Sequence, residues 1–203
     1  IVDRKDNGKV WNGVKESVKQ LSDQWNRTLG KKYTVYTYTN APEVELLVNG
    51  KSLGIKKNTN DPDHRNRIRW DNVEYHPGYI EAIALKEGKA IARHRINTYG
   101  KAVKLKLSPD QEIWHADGTD LQFVRVNALD VKNNRVWSAD GEVHFSVEGN
   151  ARIIGVSNGD ITTDENLTGN QIRLHNGTAQ VILRAGRVPG KVLLKVAVEG
   201  FKS

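Results

Sequence analysis

General acid–base chemistry, glycoside hydrolysis included, needs two carboxylates facing each other across a cleft, one protonated and one ionised. The chain offers 24 Asp and Glu in 203 residues. Most sit beside turn formers, as in Asp61-Pro62-Asp63 and Asp117-Gly118, where a carboxylate bonds its own backbone instead. No phosphate-cradling glycine loop or His-Glu-x-x-His pair occurs. The six His are dispersed, and His64, His94 and His175 read as surface residues, not metal ligands. No catalytic residue and no cofactor is assigned.

Two sets of residues remain as candidates. Asn158-Gly159-Asp160-Ile161-Thr162-Thr163-Asp164-Glu165 is the densest oxygen cluster. Hard cations such as calcium take such oxygens, so Asp160, Asp164 and Glu165 are the candidate metal ligands. The Asp-x-Asp-x-Asp-Gly spacing is missing, and the alternative is a loop braced by its own Asn, Asp and Thr side chains. The second set is aromatic, because large rings stack on sugars as readily as they plug small cores. Trp70 follows Ile68 in alternation and reads as core, and Trp25 as a seal at the edge of the first unit. Trp114, beside His115 in a polar turn, and Trp137, between Val136 and Ser138, are expected to be exposed. These two are the candidate substrate-binding residues, a platform for a glycan. Trp11 lies in an unassigned leader. The acceptor patterns at Asn26, Asn166 and Asn176 are too short to carry an inference.

The elements that must position these residues are strands. Tyr33–Thr39 is β-branched and aromatic, Val44–Val48 alternates, and Asn49-Gly50 supplies the positive-φ pair of a tight hairpin returning through Leu53-Gly54-Ile55. Arg67–Trp70 alternates apolar with charged residues. Ile80–Leu85 and Ala90–Ile96 flank a turn at Lys86–Lys89. In the second half Leu105–Leu107, Leu121–Val131, Val143–Val147, Ile153–Val156, Ala179–Leu183 and Val192–Val198 read as strands at sandwich spacing. The pattern predicts an all-β chain of antiparallel strands joined near Ala102–Leu105: residues 1–20 a leader or linker, 21–103 a first sandwich, 104–203 a second. Within the leader, Val14, Val18, Leu21 and Trp25 fit one helix face, but a strand over Leu21–Trp25 fits better with the Asn26–Lys31 turn.

Composition narrows the classes further. No run approaches the roughly 20 apolar residues of a membrane span. Without Cys there are no disulfides, thiolate sites or thiol nucleophiles. A chain without Met is expected to be an internal piece of a longer product, starting at Ile1. The net charge is +7, and it is uneven: residues 1–104 hold 20 Lys and Arg against 12 acids, residues 105–203 hold 11 against 12. The basic residues are scattered through strands and no nucleic-acid motif accompanies them, so nucleic acid is not an expected partner.

Read in order, the motifs resemble one family. Tyr38-Thr39-Asn40-Ala41-Pro42-Glu43-Val44-Glu45-Leu46-Leu47-Val48-Asn49-Gly50-Lys51-Ser52-Leu53-Gly54 is similar to the signature of domains that follow the catalytic barrel in glycoside hydrolase family 2. Trp25-Asn26 upstream fits the same pattern, as do Arg67–Trp70, Tyr75–Ala82, Leu107–Asp110, Ala116–Leu121, Phe145–Gly149 and Gly155–Asp160. The resemblance covers about residues 25–198. It implies two immunoglobulin-like sandwiches from the non-catalytic C-terminal region of a β-galactosidase-like enzyme, abundant in gut Bacteroidetes. The catalytic pair of Glu would lie in an upstream barrel of the same polypeptide, exported to the periplasm or cell surface. The alternatives are a carbohydrate-binding module built on Trp114 and Trp137, or a cell-surface adhesion module, although the two halves do not repeat each other.

Overall fold

The computed structural model describes residues 1–4, 10–11, 14–15, 20–61, 64–198 and 201. The chain divides into two compact units, Ile1–Thr98 and Tyr99–Ser203. Both are built of antiparallel strands, and the fold is all-β. Among the described residues no helix is long and apolar enough to cross a membrane.

In the first unit the leading residues form short pairs, β1 (Val2–Arg4) with β4 (Gln20–Leu21) and β2 (Val10–Trp11) with β3 (Val14–Lys15). The expected strand over Leu21–Trp25 therefore ends at Leu21, and Val14–Lys15 is extended rather than helical; Val18 lies outside the described residues. Trp25 leaves the strand because the core holds it. It is fully buried, its Nε1–H donates to the His76 carbonyl at 3.2 Å, and its ring meets Tyr75 edge-on at 5.2 Å. Ile1 packs into the same core, and its backbone nitrogen donates to the Ser22 carbonyl at 2.9 Å.

The sandwich proper has strands β5 (Lys32–Tyr38), β6 (Glu43–Val48), β7 (Lys51–Lys57), β8 (Arg67–Glu74), β9 (Tyr79–Lys86) and β10 (Lys89–Asn97). One sheet has the order β10-β9-β6-β7, and the other pairs β5 with β8. Val44, Leu46, Val48 and Ile80 face Val35, Ile68, Trp70 and Val73 in one core. Strand β8 runs four residues beyond the alternation read at Arg67–Trp70. Val35 pairs with Trp70 but Tyr33 pairs with Val73, so β8 carries an extra residue, and Asn72 sits at φ 58°. This bulge turns both Trp70 and Val73 inward, which strict period two forbids.

The second unit has strands β11 (Lys104–Pro109), β12 (Leu121–Leu129), β13 (Glu142–Glu148), β14 (Ala151–Ser157), β15 (Gln171–Arg173), β16 (Thr178–Ala185) and β17 (Leu193–Val198). A four-stranded sheet, β11-β12-β16-β14, faces a three-stranded one, β15-β13-β17. Val124, Val126, Val181 and Leu183 pack on Val143, Phe145, Ile172 and Val198. This arrangement of four and three strands is an immunoglobulin-like sandwich.

One turn in the first unit ties two distant segments together. Asn49 (φ 49°) and Gly50 (φ 81°) make the β6–β7 hairpin. The Asn49 side chain then reaches across, donating from Nδ2 to the Pro77 carbonyl at 2.9 Å and accepting from the Tyr79 amide at 2.7 Å. Gly78 lies under it at φ 131°, and a Cβ there would meet Asn49 Oδ1 at 2.0 Å. Gly78→Ala is therefore expected to destabilise the chain by about 2–4 kcal/mol through backbone strain and loss of the clamp. Urea unfolding measures this, and an unchanged midpoint refutes it.

Candidate functional site

The carboxylates come first, because any catalysis within the chain would need them. Among the described residues only Glu81 and Asp130 are buried acids, and they belong to different units. Glu81 on β9 faces β10, where Arg95 donates from Nε and Nη2 to Oε1 at 3.2 and 3.1 Å. Arg93 Nη1 stands 3.9 Å from the other oxygen, and the Arg95 guanidinium lies 4.0 Å over the Tyr79 ring. Asp130 closes the turn after β12. Its Oδ1 accepts from the Lys132 and Asn134 amides, both at 2.8 Å, and its Oδ2 accepts from the Gly100 amide at 2.9 Å and Asn134 Nδ2 at 3.1 Å. Burial opposes its ionisation, but these donors outweigh burial and hold its carboxyl below the usual carboxylate range. Neither acid faces a second carboxylate across a cleft.

The turn acids behave in the same way. Asp117 accepts from the Thr119 amide and hydroxyl and from the Asp120 amide, which lowers its pKa. Asp110 accepts from Gln122 Nε2 at 2.7 Å and from the Phe123 amide at 2.9 Å.

The oxygen cluster at 158–165 is a braced loop. Asn158, 7% exposed, is its hub: Oδ1 accepts from the Asp160 amide at 2.9 Å, and Nδ2 donates to Glu165 Oε2 at 3.3 Å and to the Arg173 carbonyl at 3.1 Å. Asp160 takes the amide and hydroxyl of Thr162 at 2.9 and 2.7 Å, which lowers its pKa, and His175 lies 3.5 Å away. Glu165 accepts from the Arg173 amide and the Thr163 hydroxyl. Asp164 is exposed and apart. Among the described residues no three of His, Asp and Glu converge as metal ligands. His64 and His175 each face a single carboxylate, Asp61 and Asp160.

The two candidate Trp residues are not the bare platform expected of them. Trp114 is half-buried, packs against the second core and donates Nε1–H to the Asp120 carbonyl at 3.1 Å. A tryptophan in a polar turn can fold back onto its own sandwich when a carbonyl is within reach of its N–H. Trp137 is also half-buried. The Arg135 guanidinium covers its ring at 4.2 Å, held there by two bonds to the Asn176 carbonyl at 3.0 and 2.8 Å. The structure does not bring the two together in a shared site.

An aromatic pair that the sequence reading passed over lies on β5, with Tyr38 exposed and Tyr36 half-buried. Tyr36 and Tyr38 point to the outer side of the β5–β8 sheet, their centroids 6.3 Å apart and their planes tilted by 31°. Arg67 lies 5.7 Å over Tyr36, and Arg69 beside it binds Asp71. The i, i+2 spacing of two Tyr opposite a buried Val35 was the signal available in sequence.

The model of the Glycoside hydrolase family 2 C-terminal domain 5 matches residues 105–203, and a domain of unknown function, DUF4982, matches residues 30–92. The chain is 38% identical over 188 residues to the β-galactosidase BoGH2A of Bacteroides ovatus, covering 92% of this chain and 22% of that protein. It is 30% identical over 181 residues to a β-glucuronidase of Formosa agariphila, covering 88% and 18%. The crystal structure of a glycosyl hydrolase family 2 member from Bacteroides cellulosilyticus superposes with a TM-score of 0.79 at 33% identity, over 89% of this chain and 25% of the other. The chain thus spans about a fifth of the length of the curated relatives it matches.

Two substitutions separate these roles. Trp114→Ala is expected to cost about 2–4 kcal/mol, from lost packing and an orphaned carbonyl, whereas Trp137→Ala costs under about 1 kcal/mol. Urea titration of both variants checks the order, and equal small losses would return Trp114 to the surface. Asp130→Asn is expected to cost about 2–3 kcal/mol at neutral pH by leaving buried amides poorly matched. Because the folded-state pKa of Asp130 is lowered, its contribution is complete above the unfolded value of about 3.9 and is lost as pH falls through the folded value. The variant should therefore converge on the parent in acid, read from melting temperatures between neutral pH and pH 3.

Proposed function

We infer the role of this chain from the family it belongs to, glycoside hydrolase family 2, of which it forms non-catalytic C-terminal β-sandwich domains. The polypeptide that contains it hydrolyses terminal β-galactosides, through a catalytic barrel upstream that supplies both carboxylates. The reaction is retaining: one carboxyl group protonates the leaving oxygen, and the other forms and then releases a covalent glycosyl-enzyme. The two sandwiches act as accessory scaffold for that barrel. The enzyme works in the periplasm or at the cell surface, where its glycans are met.

The observation that carries this reading is the 38% identity to a β-galactosidase over 92% of the chain. The chemistry of the chain supports it, since the two buried carboxylates are taken up by an arginine pair and by backbone amides. The Trp114 and Trp137 geometry gives no support to a sugar platform on those rings.

The test is hydrolysis of p-nitrophenyl β-D-galactopyranoside. The 203-residue chain is expected to release no nitrophenol, and the complete polypeptide is expected to release it. Turnover by the isolated chain would overturn the scaffold role. A complete polypeptide that cleaves the corresponding glucuronide but not the galactoside would overturn the substrate.

A further inference from the structure

The four strands of the larger sheet in the second unit carry five basic residues and no acid at all: Lys104 and Lys106, Arg125, Arg152, and Arg184. The register places these cations on one side. Val124 pairs with Val181 and Val181 with Val156, all three buried, so that row faces the core. The alternate rows face away from it: Lys106 beside Asn127 and Thr178, then Arg125 beside Gln180 and Ser157, then Phe123 beside Ile182, then Leu121 beside Arg184 and Arg152. Six residues of strand, about 20 Å, separate the first row from the last. The unit as a whole is close to neutral, since residues 99–203 hold 13 Lys and Arg against 12 acids. Its acids lie in turns and on other strands, and this face is left uniformly basic.

Arg152 and Arg184 are direct cross-strand partners, an arrangement that is destabilising for like charges without a counter-charge. Arg184 Nε donates to the Gly118 carbonyl at 2.8 Å, which fixes the guanidinium. Among the described residues no carboxylate lies within ion-pair distance of Lys106, Arg125, Arg152 or Arg184. A hollow of about 330 Å³ opens there, walled by Arg152, Arg184, Arg187 and small residues including Gly118 and Gly186. At the opposite end Lys106, Arg125, Arg135 and Asn127 line a second hollow of about 600 Å³.

We propose that this sheet face binds an anionic polysaccharide, its sulfate or carboxylate groups received by the arginines at either end and its sugar rings laid across Phe123. Charge complementarity selects the anion. Between the charged rows, the half-buried Phe123 offers a ring on which a sugar can stack. This inference goes beyond the scaffold role and does not rest on the activity of any catalytic region.

The experiment is affinity gel electrophoresis of the 203-residue chain with dextran sulfate, polygalacturonate, neutral dextran or poly-L-glutamate in the gel. Retardation is expected with at least one polyanionic glycan and none with neutral dextran, and the responsive probe tells sulfate from carboxylate. R152Q/R184Q, and separately R125Q at an exposed position, should each weaken retention, the double change by about tenfold. K51Q/K89Q, which removes two exposed charges from the first unit, should leave retention unchanged. Circular dichroism melts confirm folding, and R125Q carries the test if the double variant unfolds. No retardation by either glycan overturns the proposal. So does an equal loss in K51Q/K89Q, which would mean net charge alone, or tighter retention by poly-L-glutamate, which would mean an acidic protein face.

Discussion

Each unit stands on a single face-to-face packing of two sheets, and no disulfide assists it. With no Cys in the chain and no three-residue metal cluster among the described residues, order in about 100 residues per unit must come from apolar burial. In the second unit that burial is a lattice of Val124, Val126, Val181 and Leu183 against Val143, Phe145 and Ile172. In the first it is anchored by two indoles, Trp25 and Trp70. An indole brings an N–H that must be satisfied when buried. Trp25 uses the His76 carbonyl and Trp70 the Thr37 hydroxyl at 3.3 Å. The first bond ties the core to the turn between β8 and β9, and the second ties β8 to β5.

The same economy explains the silence of the carboxylates. A loop on a small sandwich has few apolar contacts, so its backbone amides need local acceptors. Asp117, Asp130, Asp160 and Glu165 are all engaged that way. An acid held by several N–H or O–H donors is stabilised as the anion and has a depressed pKa, as at Asp117, Asp130 and Asp160. That is the opposite of what a general acid at neutral pH requires. The residue types that suggested metal or acid–base chemistry are the ones that hold the turns shut.

Much of the fold was legible because its strands alternate and its turns carry Asn-Gly or Glu-Gly pairs at positive φ. Asn49-Gly50 and Glu87-Gly88 close their hairpins where the sequence placed them. Strand β15 was not legible: three residues with one apolar side chain, Ile172, carry no periodic signal, and its place comes from pairing with β13. The far end of β8 was hidden by the bulge at Asn72, which reverses the parity of Val73. The site was less legible than the fold. Exposure of Trp114 depended on whether a carbonyl five or six residues away would accept its N–H, and Asp120 does. Trp137 depended on Arg135, a neighbour in sequence whose direction is set by the Asn176 carbonyl across the loop.

Sheet membership was the other missing piece, and it changes how the charge is read. By sequence, the basic excess lies in the first half of the chain, and the second half is balanced. Once β11, β12, β16 and β14 are known to be neighbours, the balance proves to be an average over separated regions. The acids sit where backbone amides need acceptors, and the free cations sit on strands whose backbone groups are already paired. Arg184 reaches only the Gly118 carbonyl and none of these cations meets a carboxylate among the described residues, so their field extends outward from the sheet. Opposing arginines at 152 and 184 add repulsion that the sandwich itself does not relieve. That residual repulsion is a cost in the isolated unit, and an anion laid along the face would remove it.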